Sequence, residues 1–192
     1  MSRGLGDVYK RQGYGTHESR DTMLWLNYAE KRFPELSIFL LGVSMGAATV
    51  LMMSDKLPEN SVKGIIADCS YTSAWDEFKY QLKVSFHLGT FPILYICDLL
   101  CRIYAHYSFK DASPVQCVKN AKVPVLFIHG TDDDFVPFYM EKELYSACTS
   151  KKKMVAVEGA VHARSYFKNS ALYEKELNDF FSENSEKILM SE

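Results

Sequence analysis

A glycine-framed pentapeptide, Gly42-Val43-Ser44-Met45-Gly46, joins two apolar runs of different character. Ahead of it, Leu36-Ser37-Ile38-Phe39-Leu40-Leu41 reads as a strand buried on both faces, since strands covered by helices on each side lose polar alternation. Behind it, Ala47-Ala48-Thr49-Val50-Leu51-Met52-Met53 reads as a buried helix. Two glycines at such a junction permit a turn too tight for side chains. The serine hydroxyl is then left at the top of the sheet, on the helix N-terminus. On its own the pentapeptide is equally a plain Gly/Ser turn; the flanking runs favour strand, turn and helix.

The rest of the chain repeats that alternation. Met23, Leu26, Ala29 and Phe33 fall at helical spacing within Ser19 to Phe33, and Pro34 ends the element. Val62 to Cys69 reads as a second buried strand, Val123 to Ile128 as a third and Met154 to Val157 as a fourth. Pro124 is tolerable near a strand start, where its missing N–H does least harm. Met140, Leu144, Ala147 and Cys148 mark a helix, and Tyr173, Leu177, Phe180 and Phe181 a last one. Strands alternating with helices predict an α/β fold with a parallel sheet covered on both faces. Residues 13–70 and 120–185 form its core, and 71–119 are a long insertion, with helical runs at Ala74 to Phe86 and Phe91 to Ala105.

Residues 1–12 do not read like the rest. Asp7-Val8-Tyr9-Lys10-Arg11-Gln12 resembles the translation of a transposon-end adapter, so the native reading is expected to begin near Gly13, and 186–192 form a tail. The N-terminal segment is otherwise an ordinary polar tail. With only four strands in succession, the strand before Ser44 is expected at an open sheet edge, where an apolar strand invites self-association.

At 192 residues the chain makes one domain with a sizeable core, and 47% hydrophobic content excludes a disordered one. A net charge of −2 with mixed signs offers no electrostatic case for nucleic acid. Five scattered cysteines, with no Cys-x-x-Cys, fit reduced thiols and a cytoplasmic setting. A membrane anchor ahead of the first residues stays open. Cys97 and Cys101 lie one helical turn apart, but no ligand set joins them, so no metal and no cofactor is expected. Phe91 to Ala105 is too short to span a bilayer and is broken by Asp98 and Arg102. Oligomeric state is not legible.

Serine is a poor nucleophile near neutral pH and needs a base, itself oriented by an acid. Both follow strand ends here. His129-Gly130-Thr131-Asp132-Asp133-Asp134-Phe135-Val136-Pro137 comes after the third strand, and Glu158-Gly159-Ala160-Val161-His162-Ala163-Arg164-Ser165 after the fourth. In a parallel sheet these turns open on one rim and can converge. On spacing alone Asp132, Asp133 and Asp134 all qualify, as does Asp68 at the end of the second strand. His129 is better suited to backbone hydrogen bonds, while His17, His87 and His106 read as ordinary surface or core residues.

Gly42-Val43-Ser44-Met45-Gly46, His129-Gly130-x-x-Asp133-x-x-Val136-Pro137 and Gly159-Ala160-x-His162, in that order, resemble the α/β-hydrolase superfamily. Its bacterial branch of serine aminopeptidase-like and esterase-like hydrolases is the nearest match, and Gly13-Tyr14-Gly15-x-x-Glu18-Ser19-x-Asp21 matches that branch too. The resemblance covers Gly13 to Phe181 and implies an α/β-hydrolase fold that lacks its front strands. It implies Ser44 as nucleophile, Asp133 (three residues before Val136-Pro137) as acid, His162 as base, and the Met45 amide as one oxyanion donor. No His-Gly precedes Ser44 to mark the second donor, so this chain is expected to be nearly inactive even with its triad assembled. The insertion stands where such hydrolases carry a helical cap, and its Trp75 to Tyr107 stretch is rich in aromatic and aliphatic residues. Most of these are expected to pack and a few to line a pocket. The implied function is hydrolysis of an acyl ester or thioester through an acyl-enzyme. A hydrophobic N-terminal peptide as substrate, or a non-catalytic binding module, is the alternative.

Overall fold

The computed structural model describes residues 13–58 and 61–185; the expected tails at 1–12 and 186–192 lie outside the described residues. Four strands, β1 (Phe39–Val43), β2 (Gly64–Asp68), β3 (Val125–Gly130) and β4 (Lys152–Val157), pair in parallel in the order β1-β2-β3-β4. The helices are α1 (Thr16–Arg32), α2 (Met45–Leu51), α3 (Ala74–Val84), α4 (Ile93–Ala105), α5 (Pro114–Cys117), α6 (Phe138–Ala147), α7 (Ser165–Lys168) and α8 (Ser170–Asn184). Val43 pairs with Asp68, Asp68 with Ile128, and Gly130 with Val157, so all four strands end on one rim.

Every residue of β2 and β3 is buried, as their unbroken apolar runs require. Alternate side chains serve opposite layers. Ile65, Ala67, Val125 and Phe127 meet Leu26 of α1, Leu51 of α2 and Leu144 of α6. Ile66, Leu126 and Ile128 meet Val155, Tyr173 and Phe180, so α8 covers the other face. Fully burying each such side chain stabilises the fold by roughly 1.5–3 kcal/mol.

Strand β1 departs from its expected reading twice. It begins at Phe39, because Leu36 turns back to donate its amide to the Phe33 carbonyl at 3.1 Å. It is also not buried on both faces: Leu41 is 50% and Val43 41% exposed, on the side away from α2. Among the described residues its outer edge has no partner strand. We therefore expect the chain to self-associate with rising concentration in sedimentation velocity, and Leu41→Lys to suppress it, since charge on an edge blocks strand addition. A monodisperse wild-type monomer at all concentrations would count against this.

Helix α1 starts at Thr16, three residues before its expected start. The Glu18 carboxylate accepts from the amides of Gly13 (2.8 Å) and Gly15 (2.9 Å), and Gly15 takes a left-handed φ of 96° that a side chain would resist.

The insertion is helical as expected but packs less than expected. Ser73 caps α3 by accepting from the Asp76 amide at 3.0 Å. In α4 only Leu94 and Asp98 are buried, whereas Tyr104 is 81% exposed and Phe91, just ahead of the helix, 79%. A helix that is apolar all round has more such surface than one line of contact can cover. Asp98, which reads in the sequence as a charge breaking an apolar run, is an anchor. Its Oδ1 accepts from Ser108 Oγ (2.7 Å) and the Phe109 amide (2.8 Å), and its Oδ2 from Arg102 Nε (3.0 Å). No described helix is long and apolar enough to cross a membrane.

Candidate active site

Ser44 follows β1 and caps α2 with a φ of 54°, outside the range that L-residues favour. Its amide donates to the Asp68 carbonyl at 2.8 Å, tying the turn to β2. The turn is this sharp because Gly42 has no side chain: a Cβ there would stand 2.2 Å from the Gly46 carbonyl oxygen. Gly46, expected to matter equally, has open space where its Cβ would go. Only the first glycine is sterically demanded. Met45 opens α2, where the first amides have no partner inside the helix.

The turns after β3 and β4 bring two side chains to that hydroxyl. His162 Nε2 lies 2.8 Å from Ser44 Oγ, and His162 Nδ1 lies 2.8 Å from Asp133 Oδ2. A carboxylate only accepts, so Nδ1 carries the proton and Nε2 is free to accept from the serine. The buried Asp133 is held on its other oxygen, where Oδ1 accepts the amides of Phe135 (3.0 Å) and Val136 (2.9 Å). Burial works against its charge, but hydrogen bonds from His129, His162 and Val136 outweigh that and hold its carboxyl well below the usual range.

The other candidates are placed elsewhere. Asp132 accepts from Thr131 Oγ1 at 3.0 Å, and Asp134 gives its carbonyl to Tyr80 Oη at 3.2 Å; both side chains are exposed. Asp68 is buried and accepts from Ser165 Oγ at 3.1 Å, so it fastens α7 and does not meet His162. Burial raises its carboxyl against the Ser165 and Tyr173 hydrogen bonds. His129 lies within β3 and meets the Val136 carbonyl through Nε2 at 2.8 Å. His17 stacks edge-on against Tyr107, while His87 and His106 both take positive φ in the insertion.

Four residues at the site have no such role in the sequence reading. The Phe135 ring lies 4.9 Å from that of His162 and screens one side of it. The Cys69 thiol, pushed far up by burial, is grouped with Asp133 and His162 within 4.8 Å. That sulfur, oxygen and nitrogen could hold a cation only if the His162–Asp133 bond opened. Glu77 of α3 is buried, which pushes its carboxyl up to about 7, and accepts from Gln81 Nε2 at 3.0 Å. Glu141 of α6 is wholly buried behind His129. Nothing in helical periodicity marks an acid as buried, so neither glutamate is identifiable before the fold is known.

The insertion reaches the site through α3. Tyr80 bonds the Asp134 carbonyl, and Gln81 Nε2 donates to the Phe135 carbonyl at 2.7 Å. Between α3 and α4 runs a groove of about 300 Å³, lined by Tyr14, Phe78, Leu82, Phe86, Ile93 and Cys97.

Comparison with known proteins gives three results. The model of the prolyl oligopeptidase family matches residues 2–187. The uncharacterized protein YqkD of Bacillus subtilis (strain 168) is 28% identical over 172 residues, covering 89% of this chain and 56% of that protein. Among solved structures, the Pyrococcus furiosus esterase Pf2001 superposes with a TM-score of 0.67 at 16% identity, over 90% of this chain and 64% of that one. The Pyrococcus horikoshii acylaminoacyl peptidase gives 0.70 at 16% identity, over 94% and 30%. The chain thus has the α/β-hydrolase fold and spans just over half the length of that Bacillus subtilis protein.

Proposed function

Given that the chain belongs to the prolyl oligopeptidase family, we propose that it is a serine hydrolase in which Ser44 attacks, His162 relays the proton and Asp133 orients the imidazole. The observation that carries this is the continuous line from Ser44 Oγ through both nitrogens of His162 to Asp133 Oδ2, 2.8 Å at each step. As Oγ adds to an acyl carbonyl, its proton passes to Nε2, and the imidazolium is stabilised by Asp133. The oxyanion forms against the Met45 amide. Collapse breaks the bond to the leaving group, which takes the proton from Nε2. Water then repeats the sequence on the acyl-enzyme and releases the acid.

The groove supports a reading of the substrate class. Its lining is mostly apolar, with Tyr14, Gln81 and Cys97 as the polar members, which suits a hydrophobic acyl group in an ester or thioester. The acid loop bonded to α3 and the Phe135 ring beside His162 support the insertion's acting as a cap that limits water. An esterase and an acylaminoacyl peptidase share this fold, so the alternative of a hydrophobic N-terminal peptide is a question of pocket.

A fluorophosphonate probe tests the assignment without requiring full turnover. We expect covalent labelling of the wild-type chain and none of Ser44→Ala. Equal labelling of both would remove Ser44 from the mechanism, and none of either would favour a binding module.

A further inference from the structure

Behind Asp133, on the side away from His162, lies a second imidazole whose protons the structure fixes. His129 is completely inaccessible within β3. Its Nε2 is 2.8 Å from the Val136 carbonyl oxygen, which can only accept, so Nε2 carries a hydrogen. The same Nε2 lies 3.2 Å from Asp133 Oδ2, the oxygen that accepts from His162. Nδ1 faces Glu141 Oε2 at 3.5 Å, and neither Glu141 oxygen has a hydrogen-bond partner among the described residues. Both side chains are fully buried. Two lone pairs facing each other in a dry interior are costly, so a proton lies between them.

The surroundings favour placing that proton on the ring. Burial opposes a charged imidazole, but Asp133 and Glu141 together raise His129 to about 10. Burial also pushes the Glu141 carboxyl up to about 7, against the pull of His129. From β2, Asp68 acts on both, and from β4 the pairing neighbour Ala156 carries no charge. The Phe138 ring, 5.7 Å away, completes the α6 side.

A wholly buried ion pair stabilises a fold no better than apolar side chains of the same volume. Packing alone therefore gives no reason for Glu141 and His129 here. We propose that they are positioning residues for the proton relay: Glu141 keeps His129 protonated on both nitrogens, and the cationic ring pins Asp133 against His162 and tempers its charge. This rests on reading Ser44, His162 and Asp133 as the triad. A permanent cation on the far side of Asp133 makes the His162 imidazolium easier to discharge onto a leaving group. Glu141→Gln removes the partner of Nδ1. His129 then becomes neutral, retaining only the Nε2 hydrogen that Val136 demands, and Asp133 turns its full charge on His162.

The chain labelled with ¹⁵N at its histidine rings provides the test, with fluorophosphonate labelling rate against pH alongside. In the wild type both His129 nitrogens should be protonated at neutral pH; in Glu141→Gln only Nε2 should be. The acid limb of the labelling profile should move to higher pH by about one unit. A structural role alone would change melting and leave that limb in place. A neutral His129 ring in the wild type overturns the proposal even if the variant misfolds, and so does an unmoved limb in a folded Glu141→Gln. Absence of Ser44-dependent labelling in the wild type is a different failure, that of the triad itself.

Discussion

Asp133→Asn should lower kcat on an activated ester by about 10⁴ if Asp133 orients His162 as proposed, the loss that follows when a Ser-His-Asp triad is deprived of its acid. The size of the effect follows from the proton inventory. Asp133 Oδ2 accepts from both His162 Nδ1 and, at longer range, His129 Nε2, so no hydrogen on that atom is tolerated. An amide placed there either drives its NH₂ against those donors or turns its oxygen inward. In the second case it faces the Phe135 and Val136 amides with NH₂, donor against donor. Whichever is relieved first, His162 is pushed towards the tautomer with hydrogen on Nε2, which can no longer accept from Ser44. KM should change little, because the groove between α3 and α4 is untouched. Fluorophosphonate labelling rates, backed by steady-state kinetics on a p-nitrophenyl ester, measure it, and a variant that labels within tenfold of wild type would remove Asp133 as the acid. Asp132→Asn serves as control, since that side chain is exposed and bonds only its neighbour Thr131.

A second large effect is expected from a single methyl group. Gly42→Ala would place a Cβ 2.2 Å from the Gly46 oxygen and 2.3 Å from its carbonyl carbon. These are backbone atoms of the first turn of α2, which Ala47, Ala48 and Leu51 hold in the core, so no side chain can swing aside. Either β1 or α2 must shift as a unit, and the loss should reach on the order of 4–5 kcal/mol, enough to leave the chain poorly folded. Gly46→Ala, in the same motif, meets nothing within 4 Å and lies inside a helix, so it should be neutral or stabilise by up to about 1 kcal/mol. Thermal melts of the pair decide. A cooperative transition near the wild-type temperature for Gly42→Ala would refute the steric account of the turn.

What could be read in the chain beforehand was what depends on local pattern. The runs Val62 to Cys69 and Val123 to Ile128 locate strands β2 and β3 to within two residues because burial on both faces leaves an uninterrupted apolar signature. The turns bearing Ser44, Asp133 and His162 are legible because strand ends in a parallel sheet share a rim. Properties set by distant partners were not. Leu41 and Leu40 look alike in sequence, yet Leu41 is half exposed because α8 covers that face of β1 only at Phe39, against Phe180 and Phe181. The apolar residues of α4 suggest packing, but only Leu94 and Asp98 are buried. Glu141 appears as a polar position on an amphipathic helix, and its burial against His129 depends on how α6 lies across β3. Strand β3 extends through Gly130 for a related reason: pairing with β4 continues to Val157, drawing His129 into the sheet.

Ser44, Asp133 and His162 hang from the ends of β1, β3 and β4, with β2 as the spacer that sets their separation. Asp133 and His162, 29 residues apart, can meet once β3 pairs with β4, but Ser44, 118 residues from His162, joins them only when β1 and β2 are also in place. Reactivity at the hydroxyl is accordingly an all-or-nothing property of the finished sheet. On the proposed reading, a molecule that has not closed this sheet holds Ser44 with no base beside it, so acyl transfer would wait for the architecture to be complete.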